Sequence, residues 1–192
     1  MRADLWGRCA AGLTALFIAS AWGQPAAERL AQCAACHGAG GNSVIPGTPS
    51  LAGQPALFVE NQLVLIREGI REVVPAMAEV LTGMKDAEIR QLASYYAAQR
   101  PARPAGEVDP ATAKRAQAVA QKAHCGSCHL PDYSGREQIP RLAGQREEYL
   151  LEAMRAYRDD RRSGGDTLMA AALYGIADAD LQVLARYLAR LP

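Results

Sequence analysis

The sequence predicts an all-α fold built from two tandem copies of one unit, and three observations carry that expectation. The run Cys33-Ala34-Ala35-Cys36-His37 recurs as Cys125-Gly126-Ser127-Cys128-His129, 92 residues later. The chain keeps matching itself at about that offset well beyond the run, as a duplicated unit should. Apolar residues between these landmarks recur at helical spacing, and no stretch alternates long enough to read as a convincing strand.

The self-match sets the domain organisation. Pro49-Ser50-Leu51-Ala52-Gly53-Gln54 corresponds to Pro140-Arg141-Leu142-Ala143-Gly144-Gln145, with the offset slipping by one residue. Met77 corresponds to Met169, Ile89 to Leu181 and Tyr95 to Tyr187. Between the copies, the stretch from Arg100 to Pro110 holds three prolines and a glycine. Such a segment cannot continue a helix and favours an extended, fairly stiff connector. The expected division is a leader over 1–23, an N-terminal domain over 24–100, a linker over 101–109 and a C-terminal domain over 110–192.

Within the first unit, helices are expected from Ala26 to Cys36, from Leu57 to Glu68 and from Asp86 to Gln99. The last of these places Ile89, Leu92, Ala93 and Tyr96 on one face. In the second unit, Asp109-Pro110 is a helix start, with the aspartate as cap and the proline in the first turn. That Ala-rich helix is expected to run toward Cys125, followed by helices from Glu147 to Arg161 and from Asp178 to Leu191. Asp86 and Asp178 put negative charge where the helix macrodipole favours it. Lys85 and Ala177, which precede them, are poor caps. The Gly- and Pro-rich segments after each Cys-x-x-Cys-His read as loops.

Residues 1–23 read as a secretory signal. Arg2 and Arg8 form the charged start, Cys9 to Ala21 the short apolar run, and Ala21-Trp22-Gly23 a small-residue cleavage site, with Ala19-Ser20-Ala21 as the competing site. The alternative is an uncleaved anchor, although the run is shorter than the roughly 20 residues a span needs. Removing the leader takes away Arg2, Arg8 and Asp4 and leaves 19 basic and 19 acidic side chains. A neutral polypeptide argues against nucleic acid as a partner.

The four cysteines that remain all lie in the two motifs. In an exported chain four cysteines can mean two disulfides, and Cys-x-x-Cys can also mark a zinc site or a redox dithiol. A redox dithiol wants a βαβ context, and a shared zinc would draw both pairs into one compact unit. Cys-x-x-C-H is the attachment signature of c-type haem. Two thiols one helical turn apart, Cys33 and Cys36 or Cys125 and Cys128, can each form a thioether to one porphyrin edge. The adjacent histidine, His37 or His129, then offers an imidazole nitrogen to the iron. The sequence thus calls for two covalently bound haem c groups. Export agrees, because c-type haem is attached outside the bacterial cytoplasm.

A sixth ligand must come from elsewhere in each unit. The mature chain offers Met77, Met84, Met154 and Met169, and a methionine alone is more often core filler than ligand. Only Met77 and Met169 superpose in the repeat, each 44 residues after its first cysteine. They are the candidate axial ligands. His124 is the only histidine outside the motifs, so two bis-histidine irons are excluded within a monomer. An axial histidine usually donates its second ring N–H to a carbonyl, and Pro49 and Pro140 stand 12 and 11 residues beyond their histidines. A simple turn is the other reading of those prolines. Leu51 and Leu142 would pack on the ring, and Gly53 and Gly144 would let the backbone turn closely. Tyr95, Tyr96 and Tyr187 are expected to pack on the opening helices. The arginines at 155, 158, 161 and 162, interleaved with Asp159 and Asp160, read as a solvated helix face.

Cys-x-x-Cys-His, then Pro-x-Leu-x-Gly, then a methionine before a final helix resembles class I cytochromes c. Two such units with Leu-Ala-Gly-Gln segments, after a signal peptide, resemble the dihaem cytochrome c4 family over essentially the whole mature chain. The resemblance implies two tandem class I cytochrome c domains, each wrapped around one haem, with propionate edges facing across the interface. It also implies a periplasmic electron carrier, soluble or peripherally membrane-associated. In that family a quinol-oxidising cytochrome complex supplies electrons and a haem-copper oxidase accepts them. Filled axial positions leave no open site for a substrate, so the expectation is an electron-transfer protein rather than an enzyme. The alternative is the electron-accepting dihaem subunit of a flavoprotein dehydrogenase, such as flavocytochrome c sulfide dehydrogenase. One departure stands out: with cleavage after Gly23, few residues precede Cys33, so the opening helix of the first unit is expected to be short.

Overall fold

The computed structural model describes residues 27–192, so the expected leader, its cleavage sites and Ala26 lie outside the described residues. The first unit contains α1 (Ala27–His37), a 3-10 turn (Ala39–Gly41), α2 (Ala56–Arg67), α3 (Pro75–Leu81) and α4 (Asp86–Ala97). The second contains α5 (Pro110–Lys122), α6 (Cys125–His129), α7 (Glu147–Arg158), α8 (Thr167–Leu173) and α9 (Asp178–Leu188). Among the described residues there is no strand, only an isolated bridge between Arg136 and Ile139. No single helix among them is long and apolar enough to cross a membrane.

Each unit closes on its own apolar cluster. In the first, Ile66, Leu81, Met84, Ile89, Leu92 and Tyr96 form the buried centre, so α2, α3 and α4 meet there. In the second, Leu150, Met154, Leu173, Leu181, Leu184 and Leu188 do the same between α7, α8 and α9. Ile89 and Leu181, the matched pair of the repeat, are both 0% exposed. Burying such a side chain contributes about 1.5–3 kcal/mol.

The expected helices form, with shifts at their ends. Asp109 caps α5 by accepting from the Thr112 N–H at 2.9 Å. Lys85 proves less poor a start than its side chain suggested, because the Glu88 carboxylate reaches back to the Lys85 N–H at 3.0 Å. That satisfies one of the donors a helix N-terminus leaves free. The helix over 147–161 ends earlier, at Arg158, where Asp160 takes a left-handed conformation (φ 51°). The Ala-rich α5 also stops short of Cys125. His124 adopts a left-handed conformation (φ 55°, ψ 29°), and α6 restarts as a short helix carrying the whole second motif. In the first unit the motif sits instead on the end of the continuous α1.

The short first helix does reach the last helix of its unit. Leu30 and Cys33 pack against the cluster that holds Ile89, Leu92 and Tyr96, and Arg29 lies 3.5 Å from Glu88. Two of the tyrosines lie as expected, Tyr96 buried beside Cys33 of α1 and Tyr187 Oη accepting from Gln117 of α5 at 3.3 Å, while Tyr95 packs edge-on to Tyr96 at 5.1 Å. Two short helices, α3 and α8, had not been read from the sequence, and they carry Met77 and Met169.

Candidate haem sites

Each motif histidine is held from behind by a proline carbonyl. His37 Nδ1 donates to Pro49 O at 2.8 Å, and His129 Nδ1 donates to Pro140 O at 2.8 Å. A carbonyl can only accept, so the proton sits on Nδ1 and leaves Nε2 as the lone-pair nitrogen. Both rings are buried, at 9% and 6% exposure. Burial pushes both imidazoles below their ordinary pKa, with the proline carbonyl opposing it. A neutral imidazole with a fixed tautomer and a free Nε2 is what an iron ligand requires.

The prolines stand at the head of a turn shaped by glycine. Gly53 (φ 67°) and Gly144 (φ 68°) are left-handed, and their N–H groups donate to Tyr96 O at 2.9 Å and Leu188 O at 3.0 Å. A Cβ on Gly53 would lie 2.6 Å from Pro101 Cγ. The turn is thereby tied to the last helix of each unit, which fixes the proline carbonyl relative to the histidine.

None of the four motif cysteines is paired in a disulfide; Cys36 and Cys128 are exposed, and Cys33 and Cys125 are half-buried against their clusters. Burial pushes the Cys33 and Cys125 thiols up. Cys33 and Cys125 lie against two separate clusters, so the two cysteine pairs are not drawn into the one compact unit that a shared zinc would need. Cys33, Leu51 and Met77 all pack at the margin of the first cluster, and Cys125, Leu142 and Met169 at the margin of the second. The unmatched methionines behave differently. Met84 and Met154 are sealed in the two cores at 2% and 5% exposure, which leaves Met77 and Met169 as the adaptable ones. The donor set of each unit therefore fits one haem: two thiols, a fixed imidazole and a marginal thioether.

His124 is exposed, next to Cys125 in the chain. The arginine-rich end of α7 is mostly ion-paired at the surface, with Arg155 on Asp178, Arg158 on Asp159 and Arg161 on Glu152. Arg162 departs from that expectation. It lies over the Tyr157 ring at 4.8 Å and close to the Tyr149 hydroxyl, to which Arg71 of the first unit donates at 3.5 Å. Neither Arg71 nor Arg162 has a carboxylate partner among the described residues. Sequence reasoning missed this cationic pair, although both arginines fall at matching places in the repeat.

Comparison with known proteins agrees with this architecture. Residues 21–95 match the family described as cytochrome c oxidase, cbb3-type, subunit III, and residues 113–192 match cytochrome c. Two cytochrome c domains, each with its own motif, define a c-type cytochrome with two covalently bound haem c groups, acting in electron transfer. A cytochrome c4 from Pseudomonas aeruginosa is 30% identical over 188 residues, covering 92% of each chain. The crystal structure of reduced cytochrome c4 from Pseudomonas stutzeri superposes with a TM-score of 0.78 at 28% identity, over 86% of this chain and 96% of that one. The chain belongs to the dihaem cytochrome c4 family. It is also 34% identical to a thiosulfate dehydrogenase electron acceptor from Thiomonas intermedia, over 95% of this chain and 89% of the relative.

Proposed function

We propose that the mature chain is a periplasmic electron carrier, not itself an enzyme, with one haem c in each of the domains 24–100 and 110–192, joined by the linker 101–109. Cys33 and Cys36 tether the first group and Cys125 and Cys128 the second, with His37 and Met77, and His129 and Met169, as the axial pairs. The observation that carries this reading is the partition of the methionines. In each unit the methionine matched by the repeat lies at the margin of the core, as the first motif cysteine does, while the unmatched one fills the core.

When bound, haem iron with histidine and methionine ligands supplies reversible one-electron chemistry. The chain's own residues set the conditions for it. Pro49 and Pro140 fix the tautomer and orientation of the imidazoles, and the apolar clusters exclude water and lower the local dielectric, which disfavours the extra charge of the ferric state. Arg71 and Arg162, which meet at Tyr149 between the units, would supply positive charge to haem propionates brought to that face. The donors and acceptors are respiratory, with a quinol-oxidising cytochrome complex on one side and a haem-copper oxidase on the other.

A second reading is an electron acceptor for a dehydrogenase, and the relative from Thiomonas intermedia supports it by name. A redox titration of the holoprotein followed spectrally tests the carrier assignment. Two low-spin haems, each with the weak near-infrared sulfur–iron band, are expected, and a high-spin iron would overturn it. Mixing the reduced protein with an oxidase, and the oxidised protein with a thiosulfate dehydrogenase, separates the two readings by which transfer turns over.

A further inference from the structure

Gln54 and Gln145 close the two Leu-Ala-Gly-Gln segments, and both are buried, at 4% and 5% exposure. Their side chains cross between the units. Gln145 Oε1 accepts from the Ser50 N–H at 2.7 Å, and its Nε2 donates to Ser50 O at 2.8 Å. Gln54 Oε1 accepts from the Arg141 N–H at 3.0 Å, and its Nε2 donates to Arg141 O at 2.9 Å. The exchange is reciprocal, as the duplicated sequence allows. Ser50 and Arg141 are the residues immediately after Pro49 and Pro140. The N–H that each glutamine receives and the carbonyl that each histidine uses therefore belong to one peptide group.

We propose that Gln54 and Gln145 are positioning residues for the axial histidine of the opposite unit, so that each domain helps to set the reduction potential of the other domain's haem. The proposal rests on His37 and His129 being axial ligands. A peptide whose N–H is engaged carries a more negative carbonyl oxygen, because hydrogen bonds in a chain polarise one another, the more so in a buried site. Gln145 thus strengthens the Pro49 carbonyl as acceptor for His37 Nδ1–H, and Gln54 does the same for Pro140 and His129. A stronger acceptor raises the basicity of the imidazole, and a more basic imidazole favours the ferric state and lowers the potential. A pair of glutamines serving only as interdomain glue would give no such crossed effect.

The test uses the holoprotein with both haems in place. Gln145→Met removes the acceptor for Ser50 N–H, and Gln145→Glu keeps an acceptor while losing the donor to Ser50 O. The same two substitutions are made at Gln54, and each haem's potential is assigned through its hyperfine-shifted proton resonances. Gln145→Met is expected to raise the potential of the haem on His37 and Gln145→Glu to lower it, each with a smaller change at the haem on His129. The Gln54 variants should act in the mirror sense. A larger shift at the haem of the variant's own unit, equal shifts at both, or none in any variant would overturn the proposal. Equal shifts accompanied by an expanded particle in solution scattering would count the same way, as loss of glue alone. The ligand reading fails separately: a His37→Ala protein that keeps two unaltered low-spin spectra would remove it whatever the glutamines do.

Discussion

The Nδ1–H of His37 meets the Pro49 carbonyl at 2.8 Å, and His129 repeats the contact with Pro140 at the same distance. The proline contributes a carbonyl held in a rigid turn, and its ring restricts the unfolded chain. Pro140→Ala keeps the carbonyl but frees the backbone, and should cost about 0.4–1 kcal/mol, mainly through unfolded-state entropy. A lower denaturation midpoint with an unchanged visible spectrum is the expected outcome. A lost low-spin spectrum would mean that the ring itself, and not only the carbonyl, holds the imidazole.

Met77 and Met84 lie seven residues apart and should respond oppositely to the same change. Met84→Leu conserves volume in a sealed core, and should cost less than about 1.5 kcal/mol while leaving both near-infrared bands. Met77→Leu should abolish the band of one haem and leave both groups covalently attached. Met154→Leu and Met169→Leu should repeat the contrast in the second unit. A band that survives Met77→Leu would exclude that residue as a ligand.

Acid should weaken the second unit through Asp178. The Arg155 guanidinium, aided by Gln182, holds this carboxyl well below the usual carboxylate range. The sign follows from linkage. The folded state binds the proton less readily than the unfolded one, so the stabilisation is full above the ordinary carboxylate pKa and fades as pH falls below it. Asp86, held down by Arg67, acts in the same direction in the first unit. Thermal melts at roughly pH 5 and pH 2.5 should differ less for Asp178→Asn than for the parent chain. An undiminished difference would assign the acid sensitivity to other carboxyl groups.

Gly38 follows His37 with φ 77° and ψ 164°, a conformation open essentially to glycine alone. A Cβ there would sit 2.1 Å from Asn42 O. Gly38→Ala should destabilise the holoprotein by at least the 1–3 kcal/mol typical of such strain, roughly, seen in denaturant titration. Leu130 takes the corresponding place after His129 with φ 69° and ψ 158°, so the second unit bears in a leucine what the first avoids with glycine.

The haem sites were legible in the chain because their chemistry is local or repeated. Cys33, Cys36 and His37 are neighbours along one helix, and a matched offset of 92 residues singles out Met77 and Met169. The proline carbonyls could be named from spacing for the same reason. Less was visible of α3 and α8, because seven residues give too few turns for a helical period to stand out. The left-handed break at His124 was also hidden, since propensity favours continuing an Ala-rich helix and only the packing of α6 decides otherwise.

By itself, then, the sequence determined two helical units and their cofactor chemistry, and it picked out a candidate donor set for each iron. Those features rest on covalent order and on periodicity. Only the tertiary structure decided how the units meet. The clamps from Gln145 to Ser50 and from Gln54 to Arg141 join residues 95 and 87 positions apart, as does the meeting of Arg71 with Tyr149. A buried amide must find partners wherever the fold supplies them, and here the partners are the peptides behind the other unit's histidine. That choice depends on how two folded surfaces pack, which no spacing along one chain encodes.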